Sequence, residues 1–430
     1  MPGGDTALTR AYGIGMRLGL PLIRRAVGRK LSEAGVAPER IAERDGRTSV
    51  GRPAGQVVWM HGVSIGESLS ALPLAEAIVR EYPDWHVLLT SGTASSAGVL
   101  AHRLPARTIH QFAPLDAAPA VGRFLEHWRP GLAIFIESEV WPVTLSMLAD
   151  RGVPVALVNA RLSARTARRW QGVPRTARQV VGRFALIHCQ DSATAAVLAG
   201  LGPRAGVVPM VGPNLKAASR QVPPDASALR ALRQAVGDRP VWVAASTHPG
   251  EEAEVLAAHG VLLERFGDCL LVLVPRHPER RDEVTGLVRA AGLRHGLRGA
   301  QGAPPARQDQ VYVADTLGEM ALWYHLGGPV FLGGSWVPVG GHNPFEPAAA
   351  GAPVLHGPLH ANFDAVFAAL DAAGGGRTVR DGPELAAAVT GIWRNSQMRT
   401  QMEAAALGFA ADQRQSIDGL VGQVLSLVQG

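Results

Sequence analysis

The stretch "PVFLGGSWVPVGGHNPFEPAAAGAPVLH" (Pro329–His356) decides the fold. Two short β-branched runs, "PVFL" and "PVLH", bracket a glycine-rich loop and a helix start. Asn343, Pro344 and Glu346 suit the N-cap, the first turn and the third helical position. Strand, loop, helix and strand in that order make a parallel crossover unit. The glycine pairs Gly333-Gly334 and Gly340-Gly341 exceed what a turn needs, so binding explains them better than a cap alone. Bared backbone at a strand end suits a nucleotide. Glu346 then has two roles open, capping its own helix or holding ribose hydroxyls.

Outward from this stretch the same alternation recurs. Strand-like runs fall at 56–61, 86–90, 132–136, 154–159 and 185–189, then at 240–245, 269–275, 310–314, 329–332 and 353–356. Ala/Leu-rich helical segments separate most of them. Short buried strands spaced by helices predict parallel sheets covered on both faces. At 430 residues the chain exceeds one ordinary core. The proline-rich segment 210–225 marks a boundary. The expectation is an α/β fold of two Rossmann-like domains facing a central cleft. Its parts are a basic membrane-associating segment (1–31), an N-terminal domain (32–211), a C-terminal domain (212–395) and a terminal helix (396–430) packing back on the N-terminal domain.

Composition narrows the class. Hydrophobic content of 47% describes a soluble globular enzyme, and the net charge of +6 allows an anionic partner. The excess is uneven, with ten Arg/Lys against five Asp/Glu in residues 1–52. Tyr12–Leu31 mixes Leu, Ile and Met with Arg17, Arg24, Arg25, Arg29 and Lys30. A spanning helix needs about 20 nearly uninterrupted apolar residues, and this stretch is interrupted too often. A basic amphipathic helix on an anionic bilayer and an ordinary surface helix both fit it, and Pro21 weakens both. Cys189 and Cys269 stand in separate apolar runs, as core residues would. Lys30 and Lys216 are the only lysines in a chain that otherwise uses arginine.

In parallel sheets, ligands gather at the carboxyl ends of strands. There the chain places "HGVSIGES" (His61, Ser64, Gly66, Glu67), "ESEVWP" (Glu137, Glu139), "STHPGEE" (Ser246, Thr247), "RHPERR" (Arg276) and "ADTLGEM" (Gly318, Glu319). Bare N–H groups at a helix start attract anions, and a guanidinium at a strand end is a bidentate phosphate ligand. No P-loop, dinucleotide fingerprint, HExxH, CxxC pair or GxSxG elbow is present, so no cofactor or metal is expected. Basic residues are not interleaved with aromatics, which argues against nucleic acid as a partner.

These motifs, together with "VNARLSAR" (Val158–Arg165) and the opening stretch, stand in the order seen in 3-deoxy-D-manno-octulosonic acid (Kdo) transferases. From about Arg29 onward the chain resembles these GT-B glycosyltransferases of lipopolysaccharide synthesis. The resemblance implies CMP-Kdo as donor, a lipid A precursor as acceptor, and a place on the cytoplasmic face of the inner membrane. It puts the catalytic base at Glu43, within "AERDGR", where Ala42 replaces the family's usual Gly. Glu137 and Glu139 match its acidic strand end. Lys216, Ser246, Thr247, Arg276, Gly318, Glu319, Gly340, Gly341, Asn343 and Glu346 match its donor-binding face. His61, Ser64, Gly66 and Glu67 match its acceptor and sugar loop. Val143 stands where the family commonly has Asn. Two rivals stay open: transfer from another nucleotide sugar, and a non-catalytic scaffold that binds nucleotide or lipid.

Overall fold

The computed structural model describes residues 5–101, 103–137, 140–213, 215, 223–299 and 301–429. The chain divides into two compact units, Met1–Arg220 with Arg414–Gly430, and Gln221–Gln413. Each contains one seven-stranded parallel sheet.

The first sheet comprises β1 (Val57–His61), β2 (His86–Ser91), β3 (Thr108–Phe112), β4 (Leu132–Ile136), β5 (Val155–Ala160), β6 (Leu186–Cys189) and β7 (Met210–Val211). Their order is β3-β2-β1-β4-β5-β6-β7. Side chains alternate across a strand, so each strand feeds two cores. Val57, Trp59, Ala133, Phe135 and Leu157 face one side, with Phe124, Trp128 and Leu145 from helices Ala118–Trp128 and Pro142–Asp150. Val58, Met60, Ile134, Ile136 and Val158 face the other, against Leu74 and Ile78 of helix Ile65–Glu81. Ile417, Leu420, Val421, Val424 and Leu425, late in helix Ser396–Gln429, complete that second layer. Each fully buried side chain of this size contributes about 1.5–3 kcal/mol.

The second sheet comprises β8 (Val241–Thr247), β9 (Leu270–Pro275), β10 (His295–Leu297), β11 (Val311–Val313), β12 (Val330–Leu332), β13 (Val354–His356) and β14 (Gly376–Thr378). Their order is β10-β11-β9-β8-β12-β13-β14. Trp242, Leu271, Leu273 and Phe331 pack with helices Glu251–Phe266 and Gly382–Arg394. Cys189 and Cys269 are buried free thiols, each pushed up to about 12 by burial.

The amino-terminal helix runs Ala7–Glu33 straight through Pro21, which is exposed. Proline there removes one helical N–H, and exposure leaves the freed carbonyl to water. Thr6 caps its start by accepting from Thr9 N, and Thr9 and Leu31 are its buried residues. Among the described residues, no helix is long and apolar enough to cross a membrane.

Candidate active site

In both sheets the strand order reverses beside the unit's first strand, between β1 and β4 and between β8 and β12. Such a reversal splays the loops that follow the two strands and opens a crevice at their carboxyl ends. Three non-glycine residues near strand carboxyl ends carry backbone strain. Glu137 after β4, Asn159 in β5 and Ser246 in β8 take positive φ values of 65°, 59° and 56° without being glycine. A side chain held in that region costs about 1–3 kcal/mol and points to a locally imposed geometry.

In the second unit, Glu251 organises the crevice. This carboxylate is 1% exposed. Its Oε2 accepts from Gly334 N (2.7 Å) and His248 N (2.9 Å), and its Oε1 accepts from Ser335 N (3.1 Å) and Trp336 N (2.9 Å). One acid therefore ties the turn after β8 to the loop after β12. Gly333 is needed by this closeness, because a Cβ there would lie 2.8 Å from both Ser246 O and Thr247 Cα. Gly340 has φ +92° and lies against the Asn362 amide. Gly333 and Gly340 thus answer to the protein's own packing as well, a demand beside the ligand binding by which their sequence is better explained.

The helix start expected to hold phosphate, Glu251–Phe266, carries Glu251, Glu252 and Glu254 in its first turn. These acids occupy the positive end of the helix dipole, so its N-terminus is not a vacant anion site. Glu252, fully buried, is held by Arg280 at 2.6 Å and 3.3 Å. Arg276 is different. It is exposed, and among the described residues no ion pair engages it. Its charge reaches His248, His342 and Tyr324, and Tyr324 also feels Glu346. The His248 and His342 rings stack with Nε2 atoms 2.8 Å apart. Burial, then the charges of His248 and Arg276, lower His342 to about 4, so its ring stays neutral. The Thr247 hydroxyl is buried with no hydrogen-bond partner among the described residues.

The remaining predicted residues of this unit fall around the same edge. The helix after the second glycine pair is Phe345–Ala349, so Pro344 takes the capping position expected for Asn343. Asn343 Oδ1 still accepts from Phe345 N at 3.1 Å. Gly318 is exposed with φ +83°. The Glu319 carboxylate is taken up by Arg298, at 2.7 Å and 3.0 Å, and by the Thr316 hydroxyl. Lys216 lies outside the described residues.

In the first unit, His61 closes β1 and its Nδ1 lies 2.9 Å from Thr90 Oγ1. Ser64 and Glu67 form a reciprocal capping box on helix Ile65–Glu81, while Gly66 is exposed beside them. Glu137 stands at the end of β4, next to β1, and borders a small apolar cavity with Leu157, Trp170 and Leu198. Glu139 lies outside the described residues. Glu43 sits in the short turn Ala42–Asp45 and is 3% exposed. Its Oε2 accepts from Phe112 N at 2.7 Å, and Arg40 Nε lies 2.8 Å from Oε1. Burial raises its pKa above the usual carboxylate value, against the Phe112 N–H and Arg40. Arg40 also meets His110 Nδ1 at 2.9 Å, and burial with that neighbouring charge lowers His110 to about 4. Sequence reasoning missed Arg40, His110 and Glu251: Arg40 meets His110 across 70 residues, and Glu251 takes three of its four hydrogen bonds from the loop Gly334–Trp336. Among the described residues no group of three or more His, Cys, Asp or Glu is placed to hold a metal ion.

The fold is shared with the Anabaena protein HepE in complex with UDP. The match has a TM-score of 0.55 at 16% identity, covering 86% of this chain and 100% of that one. Two parallel α/β sheets of this kind define a GT-B class fold. The family model described as 3-deoxy-D-manno-octulosonic-acid transferase matches residues 39–218. The 3-deoxy-D-manno-octulosonic acid transferase of Haemophilus influenzae is 33% identical over 333 residues, 76% of this chain and 77% of that protein. The Bordetella pertussis transferase is 35% identical over 382 residues, 86% and 87% of the two chains. The chain belongs to the 3-deoxy-D-manno-octulosonic acid transferase family, and is a glycosyltransferase.

Proposed function

We propose that the chain transfers Kdo from CMP-Kdo to a lipid A precursor of the lipid IVA type, inverting the anomeric centre. The observation that carries the donor half is Arg276, a guanidinium with no acid partner among the described residues, beside the stacked His248 and His342 rings at the strand ends of the second unit. The cytidine monophosphate group binds there, with Arg276 on the phosphate and Asn343 and Glu346 toward the ribose. Ser246, Thr247, Gly318, Glu319, Gly340, Gly341 and Lys216 complete that face. As the bond from the anomeric carbon to the phosphate oxygen breaks, its electron pair leaves with CMP. Arg276 stabilises the charge that then develops.

Glu43 takes the proton from the acceptor hydroxyl while that oxygen bonds to the anomeric carbon. A carboxylate raised by burial is better matched to this task near neutral pH than a solvated one. For that step Arg40 must share Oε1, since both oxygens are engaged. Glu137 and Glu139 support the sugar, and His61, Ser64, Gly66 and Glu67 form the acceptor side. The enzyme works at the cytoplasmic face of the inner membrane, held peripherally by helix 7–33, whose Leu18 and Leu22 are each 76% exposed.

The test is incubation with CMP-Kdo and a tetra-acylated lipid A precursor, followed by mass spectrometry of the lipid. A mass increase of one or more Kdo units is expected. An unchanged lipid, with the donor intact, overturns the reading.

A further inference from the structure

Residues 161–183, "RLSARTARRWQGVPRTARQVVGR", hold seven arginines and no acid. They form helices Ala164–Gln171 and Pro174–Val181, joined at Gly172 and Val173. Ala167, Ala177, Val180 and Val181 turn into the core. At 100° per residue this leaves Arg165, Arg168 and Arg169 on the outer side of one helix, and Arg175 and Arg178 on that of the other. All five are exposed, and among the described residues none has an ion pair with an acid. Val173 adds an exposed apolar apex between them.

The start of helix 7–33 meets the second of these helices, Pro174–Val181. Asp5 Oδ1 accepts from Arg183 (2.8 Å), Gln179 (2.6 Å) and Ser146 (2.9 Å). Thr6 N donates to Gln179 Oε1 at 2.9 Å, and the Thr6 and Thr176 hydroxyls are 3.0 Å apart. Thr176, Gln179 and Arg183 thus face the first helix, which leaves Arg175 and Arg178 on the remaining open side. Helix 7–33 is two-faced in its own right. Thr9, Met16, Leu20, Ile23, Val27 and Leu31 are buried or half-buried. Leu8, Ile14, Leu18 and Leu22, between 50% and 76% exposed, run along the opposite side. An unsheltered apolar stripe next to an acid-free crest of guanidinium groups fits an interface that is apolar just below a layer of phosphates.

We propose that the arginine crest 165–178 is a second membrane contact, docking on the phosphates of anionic lipids while the Leu8–Leu22 stripe enters the acyl boundary. This deepens the peripheral attachment proposed above. Vesicle binding is read without donor or acceptor, so its outcome is separate from that of the transfer assay.

The test is flotation of the full chain with vesicles of phosphatidylcholine alone or with about one third phosphatidylglycerol. The expected result is binding to the anionic vesicles that weakens steeply with salt. The variant R165Q/R168Q/R169Q/R175Q/R178Q should keep the wild-type Tm and bind those vesicles at least tenfold more weakly. The separate variant Leu18→Ser/Leu22→Ser tests the stripe alone, so loss of one contact is not mistaken for loss of the other. Wild-type binding by the five-arginine variant overturns the proposal, as does failure of the wild-type protein to bind anionic vesicles. Normal vesicle binding with loss of transfer to a detergent-dispersed phosphorylated acceptor also overturns it, assigning the crest to the acceptor's own phosphates.

Discussion

Glu43 and Phe112 are joined by a hydrogen bond of 2.7 Å, from the backbone N–H at the end of β3 to the carboxylate Oε2. The candidate base is therefore also a brace between its own turn and the sheet edge. Glu43→Gln keeps one acceptor for Phe112 but turns an amide toward Arg40. We expect a stability loss of about 1–3 kcal/mol and a fall in kcat of roughly 10²–10⁴. Denaturant unfolding and turnover at saturating donor separate the two. A brace without catalytic duty would leave kcat per folded molecule near wild type.

Glu251 makes a different prediction, because it touches no ligand in the proposed reading. Glu251→Gln puts an amide N–H against backbone donors and loosens the loop Gly333–Trp336. The expected result is a rise in KM for the donor of at least tenfold, roughly 1.4 kcal/mol, with a smaller change in kcat. Glu251→Asp should recover part of it. Equal loss of kcat and unchanged KM would remove the positioning role.

Arg276 and Arg280 sit four residues apart and should behave oppositely. Arg280→Ala strands the buried Glu252 carboxylate and should cost about 3–5 kcal/mol of stability. Arg276→Ala should leave Tm within error and weaken the thermal protection given by CMP. A stable Arg280 variant, or an unstable Arg276 variant, would contradict this division of labour.

His259 supplies a pH prediction. Its Nε2 lies 2.8 Å from Gln310 O and so carries the hydrogen, while its Nδ1 accepts from Trp242 Nε1 at 3.2 Å. Burial lowers it to about 4, against about 6.5 in an unfolded chain. Between those values the unfolded state binds the extra proton, so stability is present above about 6.5 and is lost as pH falls toward 4. Burial raises Glu43 and Asp116, which act with the opposite sign, so a single-site comparison is needed. His259→Gln should flatten the acid side of the stability profile by up to one linked proton. A profile parallel to wild type would refute the neutral buried ring.

Much of the architecture was legible in the residues. The ten apolar runs read as strands all form strands, within two residues at either end. The four strands not foreseen, β3, β7, β10 and β14, are the edges of the two sheets. Edge strands are covered less fully, so "TIHQF", "HGL" and "GRT" carry polar residues where a central strand carries Val or Leu. The site was legible as positions more than as roles. Loops at strand ends were recognisable, and Arg276 stands where a strand-end cation was expected. Glu251 was not, because three of its four donors lie 83 to 85 residues further on and only the folded loop brings them near. Ser64 and Glu67 read as an anion loop, yet they satisfy each other as a cap.

The layer of the first unit completed by Ile417, Leu420, Val421, Val424 and Leu425 has a consequence during synthesis. The polypeptide emerges amino end first, so the apolar layer that these residues complete waits for nearly the whole second unit to be made. At translation rates of roughly 5–20 residues per second, that delay is on the order of 10–40 s. The nascent first unit spends this interval with an uncovered apolar face, and ribosome-associated chaperones have that time in which to shield it.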